Sequence, residues 1–123
     1  MRFMMMVKGP ENAGMPPKAL MDAIDKMIAE DTKSGKLVSF GGLYPTAAGF
    51  RVRSANGKIS VTDGPFTEAK EVIGGFSIYE LKSKEEAIEW AKRAPMPDGE
   101  MIEVRQVQEI ADFPPDVRKA AGH

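Results

Sequence analysis

Phe50-Arg51-Val52-Arg53-Ser54-Ala55-Asn56-Gly57-Lys58-Ile59-Ser60-Val61-Thr62-Asp63 alternates apolar and polar residues on both sides of Asn56-Gly57. That dipeptide suits a type I′ turn, because both of its residues tolerate positive φ, and such a turn joins two antiparallel strands. A two-residue loop fixes the register. Ala55 pairs with Lys58, and counting outward pairs Ser54 with Ile59, Arg53 with Ser60, Val52 with Val61 and Phe50 with Asp63. Side chains alternate across a strand, so Phe50, Val52, Ile59 and Val61 share one face and Asp63 belongs to it. Arg51, Arg53, Ser60 and Thr62 form the opposite, polar face.

Upstream, Arg2–Val7 reads as a buried first strand. Gly9-Pro10 and Asn12-Ala13-Gly14 are turn signals. Pro16-Pro17 opens a helix on which Leu20, Ile24, Met27 and Ile28 share a face, with Asp22, Asp25, Lys26 and Asp31 falling mostly elsewhere. Gly35 ends that helix, and Leu37–Leu43 is a second strand. Downstream, Gly75–Leu81 is a strand. Ser83-Lys84-Glu85-Glu86 is a capping box for a helix to about Arg93, with Ala87, Ile88, Trp90, Ala91 and Ala94 inward. Pro95 and Pro97 stop it, and Met101–Val107 is the last strand.

The order is strand, helix, strand, hairpin, strand, helix, strand. It predicts an α+β, ferredoxin-like βαββαβ domain over residues 1–107, with a β-hairpin inserted in its middle and a tail over 108–123. Two helices cover one face of such a sheet. The strand holding Phe76, Ile78, Tyr79 and Leu81 is bulky and apolar on both faces, so the second face is expected to pack sheet against sheet in a homodimer.

The 123 residues include 17 basic and 18 acidic side chains, a net charge of −1. No half is strongly basic, so no nucleic-acid partner is expected. The apolar start, Met1–Val7, is too short for a membrane span or a signal-peptide core. The absence of cysteine removes thiolate chemistry and suits a reducing cytoplasm. The single histidine is His123, at the chain end, which argues against histidine catalysis and histidine metal sites. No metal or cofactor is expected, and any catalysis falls to carboxylate, Lys, Arg, Tyr or backbone groups.

Asp63-Gly64-Pro65-Phe66, with Glu68, Lys70-Glu71 and Gly74-Gly75-Phe76, resembles the signature of the DGPF group of YCII-related domains. Ala87-Ile88-Glu89-Trp90-Ala91 and Glu103-Val104-Arg105 resemble the family's second helix and last strand. The resemblance spans roughly the whole chain. It implies a dimeric α+β barrel, built from two ferredoxin-like units packed through their sheets, in a family of mostly uncharacterised bacterial proteins. Some YCII-related members carry a proposed His–Asp pair in a cleft. Alignment on Gly35 puts Ile24 near the histidine's place, so this chain lacks the pair's first member and retains Asp63 as counterpart of the second. Thr67, Ala69 and Gln106 also depart from the family pattern.

Asp63 is the candidate catalytic residue. Burial in a cleft disfavours a charged carboxylate and suits it to proton transfer. The competing reading is a turn cap, with Asp63 accepting backbone N–H groups around Phe66 or Thr67. Candidate ligand-binding residues are Arg51, Arg53 and Arg105, which suit carboxylate or phosphate, together with Gly64, Lys70 and Tyr79. For the arginines the alternative is pairing with Glu80, Glu103 or a second subunit. Two functions stay open: small-molecule binding near Asp63 with carboxylate acid–base catalysis, or a non-catalytic accessory domain that binds a protein partner.

Overall fold

The computed structural model describes residues 1–11 and 14–116. The elements run β1 (Arg2–Gly9), α1 (Lys18–Lys33), β2 (Leu37–Gly42), β3 (Phe50–Ala55), β4 (Lys58–Asp63), β5 (Val72–Glu80), α2 (Lys84–Lys92) and β6 (Met101–Gln106). Short 3-10 turns stand at Thr46–Ala48 and Ile110–Asp112. β2, β5, β1 and β6 form one antiparallel sheet in that spatial order, and β3–β4 stands apart as a two-stranded ribbon. This is the ferredoxin-like α+β arrangement with the hairpin inserted between β2 and β5. The turn signal at Asn12-Ala13 and the tail beyond residue 116 lie outside the described residues.

The hairpin register is the one that the Asn56-Gly57 turn dictates: Phe50 opposite Asp63, Val52 opposite Val61 and Ala55 opposite Lys58. Asn56 and Gly57 have φ of 53° and 76°, as a type I′ turn requires. Gly35 ends α1 with φ 79°, its N–H bonded to the Thr32 carbonyl. Ser83 caps α2, its hydroxyl accepting the Glu86 N–H at 3.1 Å. The reciprocal half of the expected capping box is absent, because the Glu86 carboxylate takes Lys36 Nζ at 3.0 Å instead. That hydrogen bond holds the Glu86 carboxyl below the usual carboxylate range. β5 starts at Val72, three residues before the expected Gly75, because Val72 and Ile73 pair with Gly9 and Lys8 beyond a bulge at Gly74 in β5.

The core lies between the helices and one face of the sheet. Phe3, Met5, Leu37, Tyr79, Leu81 and Ala87 are buried there, with Ile28, Trp90, Ala91, Ile102 and Val104 against them. Ile88, expected inward, is exposed at 43% on the flank of α2. Met4, Met6, Phe76 and Ile78 point to the opposite face, which no helix covers, and are half-buried.

One charged residue is buried among the described ones, Asp31 at 4% exposure near the end of α1. The sequence reading puts Asp31 off the apolar face. Yet it lies three residues past Ile28 and four past Met27, so the helical period carries it back onto that face. It is tolerated because it is bonded: Tyr79 donates its hydroxyl to Oδ2 at 2.7 Å and Arg93 donates from Nη2 to Oδ1 at 3.3 Å. Arg93 in turn stacks on the Trp90 ring at 3.8 Å. The network ties α1, β5 and the end of α2 together.

Burial, with the Asp31 carboxylate as hydrogen-bond partner and neighbouring charge, pushes the Tyr79 phenol well above the ordinary tyrosine range. The folded chain therefore holds this proton where the unfolded chain, with a phenol near pH 10, releases it, so stability is full below about pH 10 and falls as pH rises above it. Tyr79→Phe is expected to lower unfolding stability by about 1 kcal/mol at neutral pH, and to flatten the alkaline decline. Urea titrations from neutral to alkaline pH measure both.

Candidate functional site

The Asp63–Phe66 corner is built against a loop distant in sequence. Gly64 donates its N–H to the Gly49 carbonyl at 2.9 Å. A Cβ at position 64 would stand 1.7 Å from the Thr46 carbonyl oxygen, so no side chain fits. Space, rather than an unusual φ, is what makes glycine necessary here. Thr46 carries the rest of the joint. Its hydroxyl accepts the Phe66 N–H at 3.2 Å and donates to the Glu11 carboxylate at 2.6 Å, and Glu11 also takes the Thr46 N–H at 3.1 Å. Three segments thus meet: 9–11, 43–49 and 63–68. A cleft of about 140 Å³ opens beside them, lined by Glu11, Tyr44, Thr46, Gly74 and Glu100.

Asp63 ends β4, exposed, on the same face as Phe50 and Val61. It accepts no hydrogen bond among the described residues, and the Phe66 N–H offered by the following turn goes to Thr46. Asp63 does not line the 140 Å³ cleft. On the polar face of the hairpin, Arg51 is paired with the Glu68 carboxylate and stacked over the Phe66 ring at 3.8 Å. Its partner is therefore neither Glu80 nor Glu103; these pair with Arg2 at 3.4 Å and Lys8 at 3.2 Å. A bond from its own backbone N–H, then the Arg51 hydrogen bond, holds the Glu68 carboxyl below its ordinary value. The Arg53 charge contributes to the same effect.

Of the residues singled out from sequence, the corner brings together Asp63, Gly64 and Arg51, with Arg53 on the adjoining strand. Lys70 lies in the exposed stretch before β5, without an ion pair among the described residues. Tyr79 is a core residue, 4% exposed, its hydroxyl committed to Asp31. Arg105 is exposed on the uncovered face of the sheet, opposite Met4 in register. Glu11 and Thr46 escape sequence reading. Neither belongs to a periodic element, and their pairing spans 35 residues. No group of three or more His, Cys, Asp or Glu side chains that could hold a metal ion occurs among the described residues. No helix among the described residues is long and apolar enough to cross a membrane.

A family model described as YCII-related domain matches residues 1–111. An uncharacterised protein, R00369 of Rhizobium meliloti (strain 1021), is 38% identical over 72 residues, which cover 58% of this chain and 56% of that protein. The chain thus spans about half the length of this curated relative. A solved structure of the 5-chloro-2-hydroxyhydroquinone dehydrochlorinase TftG from Burkholderia phenoliruptrix AC1100, in complex with 2,5-dihydroxybenzoquinone, matches with a TM-score of 0.42 at 18% identity. The match covers 92% of this chain and all of that one, and no chemistry is carried over from it.

Two outcomes follow from the corner. Gly64→Ala is expected to lower stability by about 2 kcal/mol or more, because the Thr46 backbone must retreat; thermal unfolding reads the loss. Arg51→Met is expected to return the Glu68 carboxyl toward the usual carboxylate range, read by a side-chain NMR pH titration.

Proposed function

We propose that this chain, which belongs to the YCII-related domain family, is a homodimer that binds a small molecule in a cleft beside Asp63, with that carboxylate placed for acid–base chemistry. The Asp63-Gly64-Pro65-Phe66 stretch supports reading it within the family as one of the DGPF group. The observation that carries the reading is the state of the hairpin's apolar face. Phe50, Val52, Ile59 and Val61 are 65%, 59%, 68% and 64% exposed in the single chain, and Asp63 stands in the same row with its oxygens unused among the described residues. A contiguous exposed apolar face marks an interaction surface. Covering it with a second subunit removes water from around Asp63, and a desolvated carboxylate is suited to accept or deliver a proton. The uncovered sheet face, with Met4, Met6, Phe76 and Ile78, offers the matching surface for sheet-to-sheet packing.

The same exposed row favours a second reading, an accessory domain that binds a different protein through the hairpin. The two part on oligomeric state. Light scattering of the purified chain is expected to give twice the 13.4 kDa chain mass, and Val61→Lys to shift the protein toward monomer. A compound found by thermal-shift screening is expected to lose at least about tenfold in affinity on Asp63→Asn with the dimer intact, the size of one charge-assisted hydrogen bond. A monomeric wild type, or a compound bound equally well by Asp63→Asn, overturns the assignment.

A further inference from the structure

α1 is pinned to the core at its last turns by Asp31 and Ile28, while its first turns stand off the sheet. Between them and β2–β5 lies a cavity of about 460 Å³, within the roughly 300–1,000 Å³ range of small-ligand sites. Val7, Leu20, Ile24, Met27 and Phe40 wall it, so the apolar stripe of α1 ahead of Ile28 faces an open space. The one charged side chain among its lining residues is Glu100.

Glu100 is on the helix-covered side by register. Val7 pairs with Ile102 and Met5 with Val104, which sets the even-numbered residues of β6 toward the core, and Glu100 precedes the strand by one residue in the same phase. A turn delivers it there, its N–H bonded to the Pro97 carbonyl at 3.3 Å. Its stem passes over Gly9, where a Cβ would lie 3.0 Å from Glu100 Cγ. Glu100 also lines the 140 Å³ cleft by Thr46 and a hollow of about 130 Å³ beneath Trp90. No Lys or Arg lines any of the three. Glu100 is half-buried and, unlike Asp31, has no side-chain hydrogen bond or ion pair among the described residues. A half-buried carboxylate with no partner of its own is open to one from outside the chain.

We infer that the cavity between α1 and the sheet binds an organic ammonium ion, its apolar body among Val7, Leu20, Ile24, Met27 and Phe40 and its cationic group on the Glu100 carboxylate. Charge decides the class. A carboxylate ligand would meet like charge and no cation, and a neutral alcohol would gain a hydrogen bond without the charge assistance. Asp63 lines none of the three hollows, so this site stands or falls apart from the reading of Asp63.

The test titrates the full chain with 2-phenylethylammonium, 2-phenylethanol and 3-phenylpropanoate, followed by NMR methyl shifts of Ile24 and Met27. The ammonium is expected to bind at least about tenfold more tightly than the alcohol, with shifts at both methyls, and the carboxylate most weakly. Glu100→Gln is expected to erase the ammonium's advantage while leaving the alcohol's affinity unchanged. Leu20→Trp, which fills the cavity, is expected to weaken ammonium and alcohol alike. Binding of the carboxylate equal to that of the ammonium, an undiminished ammonium affinity in Glu100→Gln, or no shift at Ile24 and Met27 overturns the inference.

Discussion

The buried hydrogen bond from Tyr79 to Asp31, extended by Arg93 and the Trp90 ring, is the constraint around which this domain is arranged. Hydrophobic burial brings helices and sheet together without direction, and several sliding arrangements satisfy it. A carboxylate at 4% exposure is less tolerant, because each oxygen left without a donor costs free energy. Asp31 finds its donors only when α1, β5 and the end of α2 stand in one relation. Lys36 reinforces it from the next loop, paired with Glu86 and lying 5.0 Å from the Trp90 ring centre.

Pinning one end of α1 decides what happens at the other. The helix leaves the sheet toward its N-terminus, and the space under Leu20 and Ile24 stays open. Protein interiors are close-packed, so an opening of this size beside a well-filled core points to a use. The same end of the sheet gathers Glu100, Glu11 and Thr46, on segments that share neither an element nor a neighbourhood in sequence. Rigid strands hold the loops, and the loops carry the chemistry.

The hairpin follows a different logic. It is held at its base, where Gly64 meets the Thr46 backbone and Arg51 lies between Phe66 and Glu68. Its apolar row contributes nothing to the core of its own chain. Alternation along a strand normally marks an inner and an outer face. Here both faces of the isolated ribbon are exposed.

Local patterning in the sequence determined the element order, the helix ends at Gly35 and Ser83, and the hairpin register that sets Asp63 beside Phe50. Each of these rests on a period of 2 or 3.6, or on a turn that only certain residues can make, and such signals span a few residues. Tertiary structure alone decided that Thr46 joins Glu11 to Phe66, that Arg51 takes Glu68, that the Tyr79 hydroxyl goes to Asp31, and that Glu100 faces the cavity under α1. Asp31 stands between the two cases: its place on the apolar face follows from helical spacing, but its donors come from residues 48 and 62 positions away. A partner for a polar group is fixed by which chain segments meet in space, and no local period records that meeting.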